Sequence, residues 1–271
     1  MKNLKNKVAV ITGAGAGIGR ELALACADEG CHVAISDIDK KALRETEALV
    51  KNRDVRVFSE VLDVSNKKTM NEYPQKVCDK LGTVDIVINN AGVCALATVE
   101  EHSIEDYEWL MGVNFWGVLY GSKFFISHLR KETETYIVNI SSVFGLVSMP
   151  NLSSYSAAKF AVRGFTESLR HELNDTNINV ISVFPGGVKT DFSKKARFES
   201  TPGKSNHNEF NDIFEKYSMS TAESTAQKII RGIKKSKKRI RIGPDAISGD
   251  YLLRLMPIRY DMFVRFICSK I

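Results

Sequence analysis

The sequence predicts a doubly wound α/β fold: a mostly parallel seven-stranded sheet with helices on both faces. Three observations predict it. Short apolar runs alternate with helix-period patterns along almost the whole chain, the order a parallel sheet with crossover helices requires. The runs are apolar throughout, as strands covered on both faces are. The first run leads directly into a glycine cluster that opens a helix.

Taken in order, Lys7–Ile11 reads as the first strand, ending at Gly13. The alanine- and leucine-rich segment Arg20–Glu29 reads as a helix closed by Gly30. Cys31–Ser36 is a second strand, Lys40–Lys51 a helix and Val55–Leu62 a third strand. A polar helix over Lys67–Lys80 contains Pro74 and stops near Gly82. Val84–Asn89 is a fourth strand, followed by helices at Ser103–Gly112 and Val113–Leu129. Tyr136–Ile140, the long helix Ser153–Asn174, Ile178–Phe184 and a short strand Arg239–Ile242 complete the alternation. One domain over 1–247 is expected, with a weakly patterned lid at about 191–220 and an amphipathic C-terminal extension over 248–271.

Composition narrows the function classes. With 44% hydrophobic and 26% charged residues, the chain is neither disordered nor membrane-spanning. Its five cysteines are odd in number and form no CxxC pair, which points to reduced, mostly buried thiols, a cytoplasmic setting and no metal site. The net charge of +6 is concentrated at the end: Lys228–Ile271 holds twelve Lys/Arg and three Asp. A charge confined to one end argues against nucleic-acid binding.

In open parallel sheets, ligands bind beyond the carboxyl ends of the strands. After the first strand comes Thr12-Gly13-Ala14-Gly15-Ala16-Gly17-Ile18-Gly19, a TGxxxGxG pattern. Gly13 permits a sharp turn, Gly17 and Gly19 permit close approach to a pyrophosphate, and the helix N-terminus offers free N–H groups. Asp37 ends the second strand, where a carboxylate accepts hydrogen bonds from an adenosine ribose and repels a 2′-phosphate. Ala16 adds no basic group to the loop, so NAD is favoured over NADP, although Lys40 and Lys41 oppose that preference. Asn89-Asn90-Ala91-Gly92 forms a polar turn after the fourth strand. Tyr155 and Lys159 lie four apart on one helix face, where an ammonium can lower a phenol's pKa and make a proton-transfer pair.

These motifs together resemble the short-chain dehydrogenase/reductase superfamily in its single-domain, Rossmann-like form, over residues 5 to 245. The resemblance rests on TGxxxGIG at 12–19, NNAG at 89–92, Ser142 thirteen residues before the tyrosine, YxxxK at 155–159 and Pro-Gly at 185–186. It implies a catalytic set of Asn114, Ser142, Tyr155 and Lys159: Tyr155 as acid/base, Lys159 lowering its pKa and binding nicotinamide ribose, Ser142 on the substrate oxygen, and Asn114 holding a relay water. Ser141 competes for the serine role, and the family spacing selects Ser142.

For the cofactor, the resemblance implies Thr12, Gly13, Gly15, Gly17, Ile18 and Gly19 around the phosphates. Asp37 with Ile38 would hold the ribose, and Asp63 with Val64 the adenine. Asn90, Ala91, Gly92, Tyr155, Pro185, Gly186 and Val188 would complete the cofactor contacts, with Lys159 on the nicotinamide ribose and Thr190 on the carboxamide; Val188 replaces the more usual isoleucine.

The implied activity is hydride transfer between NAD, with NADP as the alternative, and an alcohol or carbonyl compound. Ser142, Phe144 and Tyr155 would touch this small-molecule substrate. Val143, Leu146, Val147 and Met149 near the serine, with Phe192, Phe198, Phe210, Phe214 and Tyr217 in the lid, suggest that it is lipophilic. Two alternatives stay open: an NADPH-dependent 3-oxoacyl thioester reductase, and a non-catalytic cofactor-binding regulator. The aromatic helix carrying Trp109, Phe115, Trp116, Tyr120, Phe124 and Phe125 suggests a homodimer or homotetramer. Met262, Phe263, Phe266 and Ile267, beside Arg259 and Arg265, suggest either a peripheral membrane contact or a subunit interface.

Overall fold

The computed structural model describes residues 1–198, 211–212, 214–216, 218–260 and 262. Phe210, Tyr217, Phe263, Arg265, Phe266, Ile267 and Cys268 lie outside the described residues. The central sheet has seven strands: β1 Val8–Thr12, β2 His32–Asp37, β3 Val57–Val61, β4 Ile86–Asn89, β6 Thr135–Ile140, β7 Ile178–Pro185 and β11 Arg239–Ile242. Their order is β11-β7-β6-β4-β1-β2-β3, and every neighbouring pair is parallel. The order reverses between β1 and β4, which opens a crevice at their carboxyl ends. Two short parallel pairs lie outside the sheet: β5 Ala95–Leu96 with β9 Arg197–Phe198, and β8 Val188–Lys189 with β10 Ser220–Thr221.

The helices are α1 Gly17–Asp28, α2 Lys40–Lys51, α3 Lys67–Leu81, α4 Ile104–Met111, α5 Gly117–Leu129, α6 Ser153–Glu172, α7 Ala222–Lys234 and α8 Pro244–Leu255. One sheet face buries Leu22 and Cys26 of α1 with Ile229, Ile230 and Ile233 of α7, against Ile11, Ile35 and Val183. The other buries Met70, Tyr73 and Val77 of α3, Phe125 of α5 and Leu169 of α6, against Val10, Val87 and Ile137. Each large aliphatic side chain so covered contributes about 1.5–3 kcal/mol. Cys26, Cys31 and Cys94 are buried free thiols.

Several boundaries differ from the sequence expectation. α1 begins at Gly17 instead of Arg20, because the glycines themselves form its first turn. The predicted helix Val113–Leu129 opens with a π-helical turn, Gly112–Trp116, before α5. The expected domain edge between 247 and 248 falls inside α8. That helix is tied to edge strand β11 by the buried Asp250, which pairs with Arg239 at 3.0 Å, Arg241 at 2.8 Å and Arg254 at 3.3 Å. Among the described residues, no helix is long and apolar enough to cross a membrane.

Candidate active site

The cradle at the carboxyl end of β1 is built by close backbone approach. Gly13 and Gly17 have φ of +65° and +53°. A Cβ at Gly13 would stand 2.7 Å from Ala91 Cα, and one at Gly19 would overlap the Gly13 carbonyl. Asn90 staples the two turns: its Nδ2 donates to the Thr12 carbonyl at 2.9 Å and the Gly13 carbonyl at 3.1 Å. Thr12 Oγ1 accepts from Asn90 N and Ala91 N, both at 3.1 Å. Thr12 and Asn90 therefore shape the cradle, while the glycines line it. Ile18 packs into the core behind α1.

Unlike α2, whose Asp39 caps Lys41 N and Ala42 N, α1 has no side-chain cap at Ala16 among the described residues. Its first-turn N–H groups and positive dipole end suit a pyrophosphate. The residues present thus fit a dinucleotide.

The Asp37 carboxylate is oriented by its neighbours: Gly15 N–H donates to Oδ2 at 2.8 Å and Asp39 N–H to Oδ1 at 2.9 Å. Arg20, absent from the sequence expectation, fixes the same loop by donating through Nη2 to the Gly15 carbonyl at 2.6 Å. Ile38 is exposed beside Asp37. Lys40, Lys41 and Arg44 line a shallow hollow with Glu45 and Ala48 on the adjoining turn of α2. Asp63 accepts from Ser65 N at 2.9 Å and Ser65 Oγ at 2.7 Å, while Val64 is buried against Gly117.

The four expected catalytic residues converge where β4, β6, the π-helical turn and α6 meet. A Cβ at Gly92 would stand 3.2 Å from Asn114 Oδ1 and 3.5 Å from Lys159 Nζ. Lys159 Nζ lies 5.6 Å from the Tyr155 ring centroid and donates to the Ile140 carbonyl at 3.2 Å. Ser142 is close enough to the Tyr155 phenol to affect its charge state, and its Oγ accepts from Phe144 N at 3.1 Å. Ser141 points elsewhere, its Oγ donating to the Lys159 carbonyl at 2.8 Å. Phe144 and Phe192 pack their rings 6.2 and 6.0 Å from that of Tyr155. Cys94, which motif reading passed over, is buried near enough to Tyr155 and Lys159 to affect their charge states; burial pushes its thiol up to about 12. Its only sequence signal is its place two residues after Gly92.

One expectation changes. The Tyr155 phenol stands above its ordinary range, not below it: burial, and secondarily Cys94, push it up, with Ser142 opposing. The same burial brings Lys159 down to about 8, against a smaller raising effect of Cys94. The side-chain amide of Asn114 is engaged by the backbone of Val93, accepting from Val93 N and donating to Val93 O, each at 2.8 Å. That side chain shapes the Gly92–Val93 turn.

The loop after β7 closes the cleft. Gly186 N–H donates to the Ile242 carbonyl at 2.8 Å, and Pro185 pairs in register with Ile242. Val188 is buried in β8, and a Cβ at Gly17 would stand 3.2 Å from Thr190 Cγ2, so the loop reaches the glycine turn. Of the expected lid, Arg197–Phe198 pairs with Ala95–Leu96 and Phe214 is half-buried.

A sequence model of short chain dehydrogenases matches residues 7–200. A Mycobacterium tuberculosis protein named as an oxidoreductase, SadH, is 38% identical over 266 residues, covering 97% of this chain and 96% of the relative. A Lactiplantibacillus plantarum CLA biosynthesis dehydrogenase/reductase is 34% identical over 194 residues, 70% of this chain and 68% of that protein. The crystal structure of a short-chain dehydrogenase/reductase from Burkholderia phymatum in complex with NAD superposes with a TM-score of 0.87 at 29% identity, covering 94% of this chain and 95% of that one. With the glycine cradle and the buried tyrosine–lysine pair in one crevice of a matching fold, the chain belongs to the short-chain dehydrogenase/reductase family of nicotinamide-dependent oxidoreductases.

Proposed function

We propose that the protein exchanges a hydride between NAD(H) and the CH–OH or carbonyl group of a lipophilic alcohol, aldehyde or ketone, with Tyr155 giving or taking the proton. The observation that carries this reading is the Tyr155 phenol, buried between Ser142 and Lys159 and packed by Phe144 and Phe192. Accepting or donating the hydride is the chemistry NAD supplies when bound in the cradle.

The chain's own residues do the rest. Ser142 orients the substrate oxygen toward the phenol and stabilises charge developing on it. The raised pKa keeps Tyr155 protonated, ready to donate in the reductive direction. In the oxidative direction, protonated Lys159 favours the phenolate that accepts the alcohol proton. Asn114 acts as a positioning residue through Val93.

Asp37 at the ribose position supports NAD over NADP, because it would repel a 2′-phosphate. The Lys40, Lys41 and Arg44 hollow supports the rival reading of an NADPH-dependent 3-oxoacyl thioester reductase. Apolar groups near Tyr155, among them Leu96, Leu152, Met149 and Phe192, support a lipophilic substrate. The experiment is an alcohol and carbonyl panel with both cofactors. Lipophilic substrates with NAD(H) should lead, and Tyr155→Phe should abolish turnover while keeping NADH binding. Tighter NADPH binding, or polyols outpacing every lipophilic alcohol, would reject the reading.

For assembly, the exposed Trp116 stacks on Tyr120 with centroids 5.8 Å apart, and Tyr120 on Phe124 at 5.7 Å, a ridge suited to a homodimer or homotetramer contact. The exposed Tyr251, Leu255, Ile258 and Met262, beside Arg254 and Arg259, suit peripheral contact of a cytoplasmic protein with an anionic membrane. Joint Leu255→Asp and Ile258→Asp substitution should release the protein from anionic vesicles; undiminished binding would reject that contact.

A further inference from the structure

The loop after β7 is held by a side chain outside the expected catalytic and cofactor set. Asp245, in the first turn of α8, accepts a hydrogen bond from Gly187 N–H through Oδ2 at 2.7 Å. Its Oδ1 is fully buried and has no hydrogen-bond partner among the described residues. Gly186 and Gly243 lie so close to the carboxylate that a Cβ at either position would overlap it. Gly243 also has φ of +96°, a conformation glycine adopts without strain.

A carboxylate oxygen buried without a partner destabilises a fold, so stability alone does not account for this group. What it does locally is specific. Gly186-Gly187 is intrinsically the most flexible pair in the loop. The Ile242 carbonyl holds the first N–H and Asp245 holds the second, so both donors of the pair are fixed. A charge-assisted bond to a backbone N–H is stronger than a neutral one. Beyond this clamp the chain runs through Val188 to Thr190, which meets Gly17 of the cradle.

We propose that Asp245 is a positioning residue for the nicotinamide half of the cofactor: it fixes the Gly186–Gly187 backbone so that the stretch through Thr190 is presented to the crevice already ordered. The proposal rests on the nicotinamide-cofactor reading above. It predicts a dissection within one ligand, because the adenosine end depends on Asp37 and α1, on elements that Asp245 does not touch.

The test titrates the full chain, Asp245→Ala and Asp245→Asn with NADH and, separately, with ADP-ribose, which lacks the nicotinamide. Asp245→Ala should weaken NADH by about tenfold or more, the scale of a lost hydrogen bond to a charged group, and leave ADP-ribose affinity unchanged. Asp245→Asn keeps an acceptor for Gly187 N–H and should restore most of the NADH affinity. Parallel loss of both ligands would mean a merely structural role and overturn the proposal, as would no loss of either, or an Asn variant as weak as Ala. Should the Ala chain not fold, hydrogen exchange in the unsubstituted protein decides: the Gly187 amide should exchange slowly without ligand, and fast exchange overturns the clamp. Failure of the cofactor reading looks different, since the unsubstituted protein would then bind neither NADH nor ADP-ribose, and both proposals would fall.

Discussion

Replacing Lys159 with methionine should make the protein more stable while removing most of its turnover. Lys159 is 3% exposed and its ammonium donates to the Ile140 carbonyl at 3.2 Å. Burial brings its pKa from 10.5 to about 8. At about 1.4 kcal/mol per pH unit, the folded environment disfavours the charged form by about 3 kcal/mol. The folded pKa lies below the unfolded one, so the unfolded chain binds more protons between about pH 8 and 10.5. The penalty is therefore fully present below about pH 8 and is relieved as pH rises through that window. Methionine preserves most of the stem's packing, but leaving the Ile140 carbonyl without this donor costs about 1 kcal/mol. The net gain at neutral pH is about 2 kcal/mol, or about 4–8 °C in Tm for a chain of this length. Turnover should fall by about a hundredfold or more, the usual contribution of a proton-transfer centre. Thermal unfolding of both proteins at neutral pH and near pH 10, beside initial rates, tests this. A lower Tm for Lys159→Met at neutral pH, or a stability gap that does not narrow toward pH 10, would refute the argument.

Gly19→Ala should abolish measurable NADH binding and destabilise the fold by about 1–3 kcal/mol, because the new Cβ would overlap the Gly13 carbonyl and push α1 off the turn; an unchanged fluorescence titration would count against the cradle geometry. Asp250→Ala leaves Arg239, Arg241 and Arg254 without their shared carboxylate, and urea unfolding should register a loss of about 3 kcal/mol, with faster amide exchange along Pro244–Leu255. The adjacent serines should separate cleanly. Ser142→Ala lowers kcat with little change in stability, whereas Ser141→Ala removes the bond to the Lys159 carbonyl and lowers Tm by a few degrees.

Much of the fold was legible because it is encoded locally. Apolar runs such as VAVIT could only be strands covered on both faces, and all five of its residues are buried. Likewise, the glycine spacing announced a strand–turn–helix cradle, and the four-residue interval put Tyr155 and Lys159 on one face of α6. These features depend on backbone torsions and side-chain periodicity over a few residues.

What the sequence left open depends on distant groups brought together. The π-helical turn at Gly112–Trp116 and the engagement of the Asn114 amide by Val93 join segments 21 residues apart. Asp245 meets Gly187 across 58 residues, with no motif linking them. The charge balance at the proton-transfer centre is of the same kind. Spacing alone pairs an ammonium with a phenol and predicts a lowered tyrosine, yet the folded pocket raises Tyr155 and lowers Lys159. Residue identity and interval thus determined which groups meet on the helix. Only the tertiary structure decided their charge states, because desolvation is the sum of every neighbour that the fold places around them.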